Sequence, residues 1–143
     1  LDVVVHHAAH EGVLVHAELA DNIHAIMADD IQVEQVILNL ARNGFEAMSE
    51  TPPKNRRLTI RTAEIDGDNV EVAVCDNGKG ISEDAADKIF DSFFSTRTEG
   101  LGVGLALSRS IVEAHGGRIW AESNTNCGAT VRFTLPVKGK ANG

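Results

Sequence analysis

Apolar and polar positions alternate along VLVHAEL at 13–19, and a second short alternating run follows around His24 to Ala28. The chain is therefore expected to lay down a strand hairpin early, preceded over residues 1–11 by the end of a helix. The period then changes. In DDIQVEQVILNLARNGFEAMSE, Ile31, Val36, Leu38, Leu40 and Phe45 recur among polar residues, Asp29 and Asp30 stand as N-cap candidates, and Pro52–Pro53 closes the run, so this is the longest helix expected. RRLTIRTAEI and NVEVAVCD alternate again around Asp66-Gly67-Asp68, a hairpin signal, and an edge of the sheet is expected there. From Ile81 to Thr98 a short helical piece, SEDAADKIF, and a phenylalanine-bearing stretch make a long mobile loop between two glycine clusters. Helix resumes at 103–115 and stops at Gly116-Gly117, after which GRIWAESN and GATVRFTLPV read as a final antiparallel pair. Because hairpins join most of these strands, the expected fold class is α+β: a two-layer α/β sandwich whose mixed, mostly antiparallel sheet carries helices on one face.

The length, 143 residues, suits one domain with its own core. Aromatic residues are 4% and tyrosine is absent, so that core should be aliphatic and stacking platforms for single-stranded nucleic acid are not expected. Thirteen basic against 21 acidic residues give a net charge of −8, which repels nucleic acid over most of the surface. A small polyanion is a different matter, because backbone N–H groups, a helix N-terminus and a divalent cation can neutralise it locally. Cys75 and Cys127 are too few for a disulfide framework or a CxxC metal site, which fits a reducing cytoplasm. No apolar run approaches membrane-spanning length and no signal-peptide pattern opens the chain, so no direct membrane contact is expected. The start within a regular pattern, without an initiator methionine, and the polar end KGKANG read as an excised domain: 1–12 the end of a linker helix, 13–137 the domain, 138–143 a tail.

Three polar constellations stand out. Asn39 and Asn43, in NLARN, are four residues apart on the long helix and share a face. They read either as buried amides with satisfied hydrogen bonds or as oxygen donors to a Mg²⁺ ion that also holds phosphates. Asp76 ends an apolar strand and is followed by Gly78 and Gly80 in DNGKG. Either the aspartate makes an ordinary Asx turn, or it stays ionised and accepts a hydrogen bond from an exocyclic amine, as on adenine, while the glycines let backbone approach. Gly100, Leu101, Gly102, Val103, Gly104 and Leu105 lead into a helix, where N–H groups and the helix dipole favour an anion. The spacing matches neither a Walker motif nor a dinucleotide fingerprint.

In this order the motifs resemble those of sensor histidine kinases. NLARNGFEAM looks like the N box, DNGKG the first G box, FDSFF the F box, GLGVGL the second G box, and GATVRF the terminal G-T motif; the likeness covers about Val13 to Val137. GLALSRSIVEAHGGRIWAES looks most like the nitrogen- and oxygen-sensing branch. The resemblance implies the Bergerat sandwich with ATP and Mg²⁺ as ligands. Asp76 would bind the adenine amine with Thr130 joining through water, Asn43 helped by Asn39 would hold Mg²⁺, and Gly100, Gly102 and Gly104 would cradle the phosphates. Residues 81–101 would form a flexible ATP lid, with Phe90, Phe93 and Phe94 anchoring it, meeting a partner domain, or simply packing in the core. Arg97 would reach the terminal phosphates or stay solvated.

Three departures from the family pattern are Gly44 for alanine, Ser92 for proline and Arg97 for lysine. Gly44 lowers helix propensity by roughly 1 kcal/mol. Hydrolysing relatives carry a glutamate where Asn39 stands; an amide is a poor general base, which implies transfer rather than hydrolysis. His10-Glu11 lacks the rest of a phosphoacceptor box, His6 and His10 lack further zinc ligands, and His16, His24 and His115 sit at ordinary strand or helix positions. The acceptor histidine is thus expected on a separate dimerisation domain, with a response regulator downstream, the excised domain monomeric and its parent, soluble or membrane-anchored, homodimeric. An anti-sigma-factor serine kinase, which would lack the F box, and a docking module without transfer activity are the competing readings.

Overall fold

The computed structural model describes residues 12–18, 31–48, 50–65, 69–78, 80, 90, 102–123 and 128–136, with backbone only at 31 and 102–104. Five strands and two α-helices lie among them: β1 (Leu14–Glu18), α1 (Ile31–Ala47), β2 (Arg57–Ile65), β3 (Asn69–Asp76), α2 (Gly102–Ala114), β4 (Arg118–Ser123) and β5 (Ala129–Pro136). Helix α1 forms because Val33, Val36, Ile37, Leu40, Ala41 and Phe45 repeat at three- and four-residue spacing and are all buried. Its end is closed by Met48, whose N–H donates to the carbonyls of Gly44 and Phe45, and the chain then turns through a single 3-10 turn at Pro53–Asn55. The expected helix at 103–115 is α2, whose buried face is Leu105, Ser108 and Val112.

The strands form one sheet in the order β1-β2-β3-β5-β4, mixed as expected, with β1–β2 parallel and the other three pairs antiparallel. One detail differs from the sequence reading. The β2–β3 hairpin is not at an edge: β3 is the central strand, flanked by β2 and β5. β1, at the edge of the sheet among the described residues, pairs in parallel with β2, and the chain between them includes α1 as the crossover that parallel pairing needs. The expected strand around His24–Ala28, the helix end at 1–11, the helical piece at 82–90 apart from Phe90, and the tail at 138–143 lie outside the described residues.

Alternation gives the sheet two unlike faces. Leu58, Ile60, Val70, Val72, Val74, Val131, Phe133 and Leu135 form the core on one side, where α1 and α2 pack against the sheet and each other. The other side carries Arg132, whose guanidinium holds Glu71 at 3.0 Å and Glu122 at 3.2 Å. The Trp120 indole N–H also donates to Glu122, at 3.0 Å, which together with Arg132 keeps that carboxyl below the usual range. The two-layer sandwich of the sequence reading is therefore observed. Among the described residues no helix is long and apolar enough to cross a membrane.

Candidate functional site

The site is built on the end of the central strand. Asp76 pairs across with Leu58, so its side chain lies on the helix side of the sheet, at 6% exposure. Its Oδ1 accepts the Gly78 N–H at 2.8 Å, and the Ala129 N–H is a second backbone donor to the carboxylate. The Asx turn anticipated as the plainer reading is therefore present. Burial pushes the Asp76 carboxyl from 3.8 up to about 6, and the Gly78 and Ala129 N–H groups oppose that rise. At neutral pH it is still about nine-tenths ionised, as an acceptor-only role requires.

Thin backbone walls surround this carboxylate. A Cβ on Gly78 would lie 2.3 Å from the Ala47 carbonyl oxygen, so the turn after β3 rests on the last residue of α1. Gly128 has φ +86°, and a Cβ there would stand 2.1 Å from the Asp76 carbonyl oxygen; only glycine lets the start of β5 cross so close to β3. Gly80, also at positive φ, lies against Gly128. A Cβ on Gly44 would come within 2.7 Å of Leu58 Cδ1 and 3.4 Å of Asp76 Cβ, so this departure brings α1 close to the carboxylate besides weakening the helix. Asn77 straps the turn down: its Oδ1 accepts from Arg57 N–H at 2.9 Å and its Nδ2 donates to the Asn55 carbonyl.

Thr130 is not where the resemblance put it. It pairs with Cys75, and alternation from the buried Val131 and Phe133 turns it to the opposite face of the sheet from Asp76. Ala129 stands beside Asp76 instead. One residue along a strand is a change of face. Gly128 and Ala129 are the site residues that the sequence reading missed, although GATVRF pointed to their neighbourhood.

Asn39 and Asn43 are both half-buried on α1, as their spacing predicts. Asn39 Oδ1 accepts from Gln35 Nε2 at 3.1 Å and its Nδ2 donates to Ser108 Oγ on α2 at 3.3 Å. Asn43 has no side-chain hydrogen bond to any described residue. Gly102, Val103 and Gly104 form the first turn of α2, and Leu105 follows at 7% exposure. Gly100, Leu101, Arg97, Phe93, Phe94 and the rest of the expected lid lie outside the described residues. Phe90, 4% exposed, is part of the core, the plainest of its three roles. Cys75 is half-buried on the outer face rather than in the core. His16, exposed, contacts Glu18 at 2.9 Å on the edge strand, and His115 bonds the Ile111 carbonyl at the end of α2, so neither belongs to the Asp76 site. No cluster of three or more His, Cys, Asp or Glu side chains suited to a metal occurs among the described residues.

Residues 28–139 match the family described as histidine kinase-, DNA gyrase B- and HSP90-like ATPases. The chain belongs to that family. Among curated relatives, this ATPase domain is 44% identical over 130 residues to the sensor protein FixL of Bradyrhizobium diazoefficiens, covering 91% of this chain and 25% of FixL. It is 45% identical over 115 residues to the C4-dicarboxylate transport sensor protein DctS of Rhodobacter capsulatus, covering 80% of this chain and 17% of DctS. The domain thus spans a quarter or less of these relatives. Among solved structures it resembles the catalytic domain of the histidine kinase ThkA, nucleotide-free, with TM-score 0.74 at 30% identity, over 94% of this chain and 86% of that one. ThkA has also been solved in complex with the response regulator TrrA, and there the match is TM-score 0.71 at 26% identity, over 94% of this chain and 37% of that one.

The residues present fit an adenine nucleotide. Asp76 supplies a buried, mostly ionised acceptor beside Gly44, Gly78 and Gly128, where no Cβ would fit without a close contact. Asn43 supplies an amide oxygen of the hard-donor kind that Mg²⁺ takes. The first turn of α2 is glycine-rich, and the first N–H groups of an α-helix have no partner within the helix itself.

Proposed function

We propose that this ATPase domain is the catalytic domain of a two-component sensor histidine kinase, transferring the γ-phosphoryl group of ATP to a histidine on a separate dimerisation domain of a cytoplasmic, homodimeric kinase region. A response regulator would take the phosphoryl group onward. The observation that carries the reading is Asp76, an anionic group held at the end of the central strand with about 6% of its surface exposed. Placing a carboxylate there costs stability, and a ligand that donates a hydrogen bond to it repays that cost.

Asp76 would accept from the purine amine, while Gly78, Gly80 and Gly128 keep side chains out of the base's path. Gly100, Gly102 and Gly104, with Leu101, Val103 and Leu105, would present N–H groups to the phosphates at the start of α2. Asn43 would hold Mg²⁺, which offsets the charge of the phosphate oxygens. Arg97 would meet the terminal phosphate as a fixed cation. Asn39 carries no base that could activate water, so the described part of the site aligns and neutralises rather than hydrolyses, which is what phosphoryl transfer to a positioned nucleophile requires.

The test supplies the acceptor in trans. The 143-residue chain is incubated with γ-labelled MgATP and the phosphoacceptor domain of a close relative. Acid-labile label on the acceptor histidine is expected, and none with Asp76→Asn. Tight nucleotide binding with no phosphohistidine from several acceptors would indicate a docking module and refute the kinase reading.

A further inference from the structure

Asn39 and Asn43 are one turn apart on the same face, yet the structure treats them differently. The amide of Asn39 is used on both sides: its oxygen accepts from Gln35 and its nitrogen donates across to Ser108. That oxygen is the only atom of the side chain able to ligate a hard cation. Ser108 has no exposed surface and lies on the buried face of α2 with Leu105 and Val112, where α2 packs on α1. A hydroxyl in such a layer is costly unless bonded, and alanine or valine would fill the place at no such cost. Ser108 is also six residues beyond Gly102, about 9 Å along the axis from the start of α2.

We infer that Asn39 is a positioning residue rather than a metal ligand. Through Ser108 it fixes the spacing between α1, which carries Asn43, and the N-terminal turn of α2. The inference rests on the proposed nucleotide site: the two elements so joined are those that would meet the metal and the phosphates, while Asp76, on the sheet, is not part of the link. Loss of the link should therefore weaken binding of the triphosphate end and leave the base end untouched.

The experiment measures affinities of the 143-residue chain for MgATP and for adenosine by calorimetry, in Asn39→Ala, Ser108→Ala and the double variant, and the Mg²⁺ concentration that half-saturates ATP binding. Ser108→Ala removes one oxygen and puts the best helix former on a helix, so folding is retained. Each single variant should lose roughly fivefold in MgATP affinity, the size of one neutral hydrogen bond, with the double variant no worse than either. Adenosine affinity and the Mg²⁺ requirement should not move, whereas Asn43→Ala should raise the Mg²⁺ requirement. The inference is overturned if Asn39→Ala raises the Mg²⁺ requirement as Asn43→Ala does, if the two losses add, or if adenosine binding falls in step with MgATP. Failure of the nucleotide site itself is read separately, as an unaltered chain that binds neither ligand or an Asp76→Asn variant that still binds both.

Discussion

Asp76→Asn should make the nucleotide-free domain more stable while abolishing nucleotide binding. Folding carries the carboxyl from 3.8 to about 6, with burial as the main cause. The folded state thus holds its proton more tightly than the unfolded one, so stability is greatest below 3.8 and is lost as pH rises from there through about 6. At about 1.4 kcal/mol per pH unit, the loss at neutral pH is about 3 kcal/mol. Asparagine is uncharged and avoids it, but its single acceptor oxygen cannot serve both the Gly78 and Ala129 N–H groups as fully as a carboxylate does, which takes back about 1–2 kcal/mol. A net gain of about 1–2 kcal/mol at pH 7.5 is expected, shrinking and then reversing as pH falls toward 4. Urea unfolding of both chains without nucleotide, at pH 7.5 and pH 5, measures it. A variant less stable than the parent at pH 7.5, or a difference that ignores pH, would refute the claim that the carboxylate is held against its own desolvation.

Other outcomes follow from the same geometry. Because only the ionised carboxylate is a pure acceptor, adenosine affinity should be flat above pH 7 and fall about tenfold per unit well below 6, read by calorimetry across that range. Gly128→Ala forces a Cβ onto a carbonyl oxygen at 2.1 Å in a positive-φ position, where backbone must give; a loss of more than about 3 kcal/mol in urea unfolding is expected. Gly44→Ala crowds the far end of the Leu58 side chain at 2.7 Å and makes ordinary contact with Asp76 Cβ at 3.4 Å, and better helix propensity offsets the crowding, so its stability should stay within about 1 kcal/mol of the parent in the same assay. Arg132→Ala removes a partly exposed link between Glu71 and Glu122 on the far face of the sheet, and should cost about 1 kcal/mol or less with nucleotide affinity unchanged.

How much of this was legible beforehand depended on whether the signal was local. The apolar stripe of α1 and the alternation of β2, β3 and β5 are properties of consecutive residues, and those elements stand where the periodicity put them. Strand order is not local: nothing in RRLTIRTAEI says that its second neighbour will be the early strand at 14–18, joined in parallel across α1. The buried position of Asp76 followed from its place at the end of an apolar strand. The face of Thr130 was not legible because a motif fixes residue types more firmly than the face each occupies, and one step along β5 exchanges one face of the sheet for the other. Gly128 and Gly44 matter through what lies opposite them, β3 and Leu58, and such neighbours become visible only once the sheet is assembled. The bond from Asn39 to Ser108 spans 69 positions, beyond the reach of any spacing rule.

The central place of β3 also decides how the domain can respond to what it binds. To expose the backbone leading to Asp76, two hydrogen-bonded ladders would have to open together, so amide exchange from Val70 to Cys75 should occur only when the whole molecule unfolds. The base would then dock against a fixed datum that is the same for every adenine compound. Discrimination among adenine nucleotides would then fall to the helices, which sit on the sheet without being stitched into it.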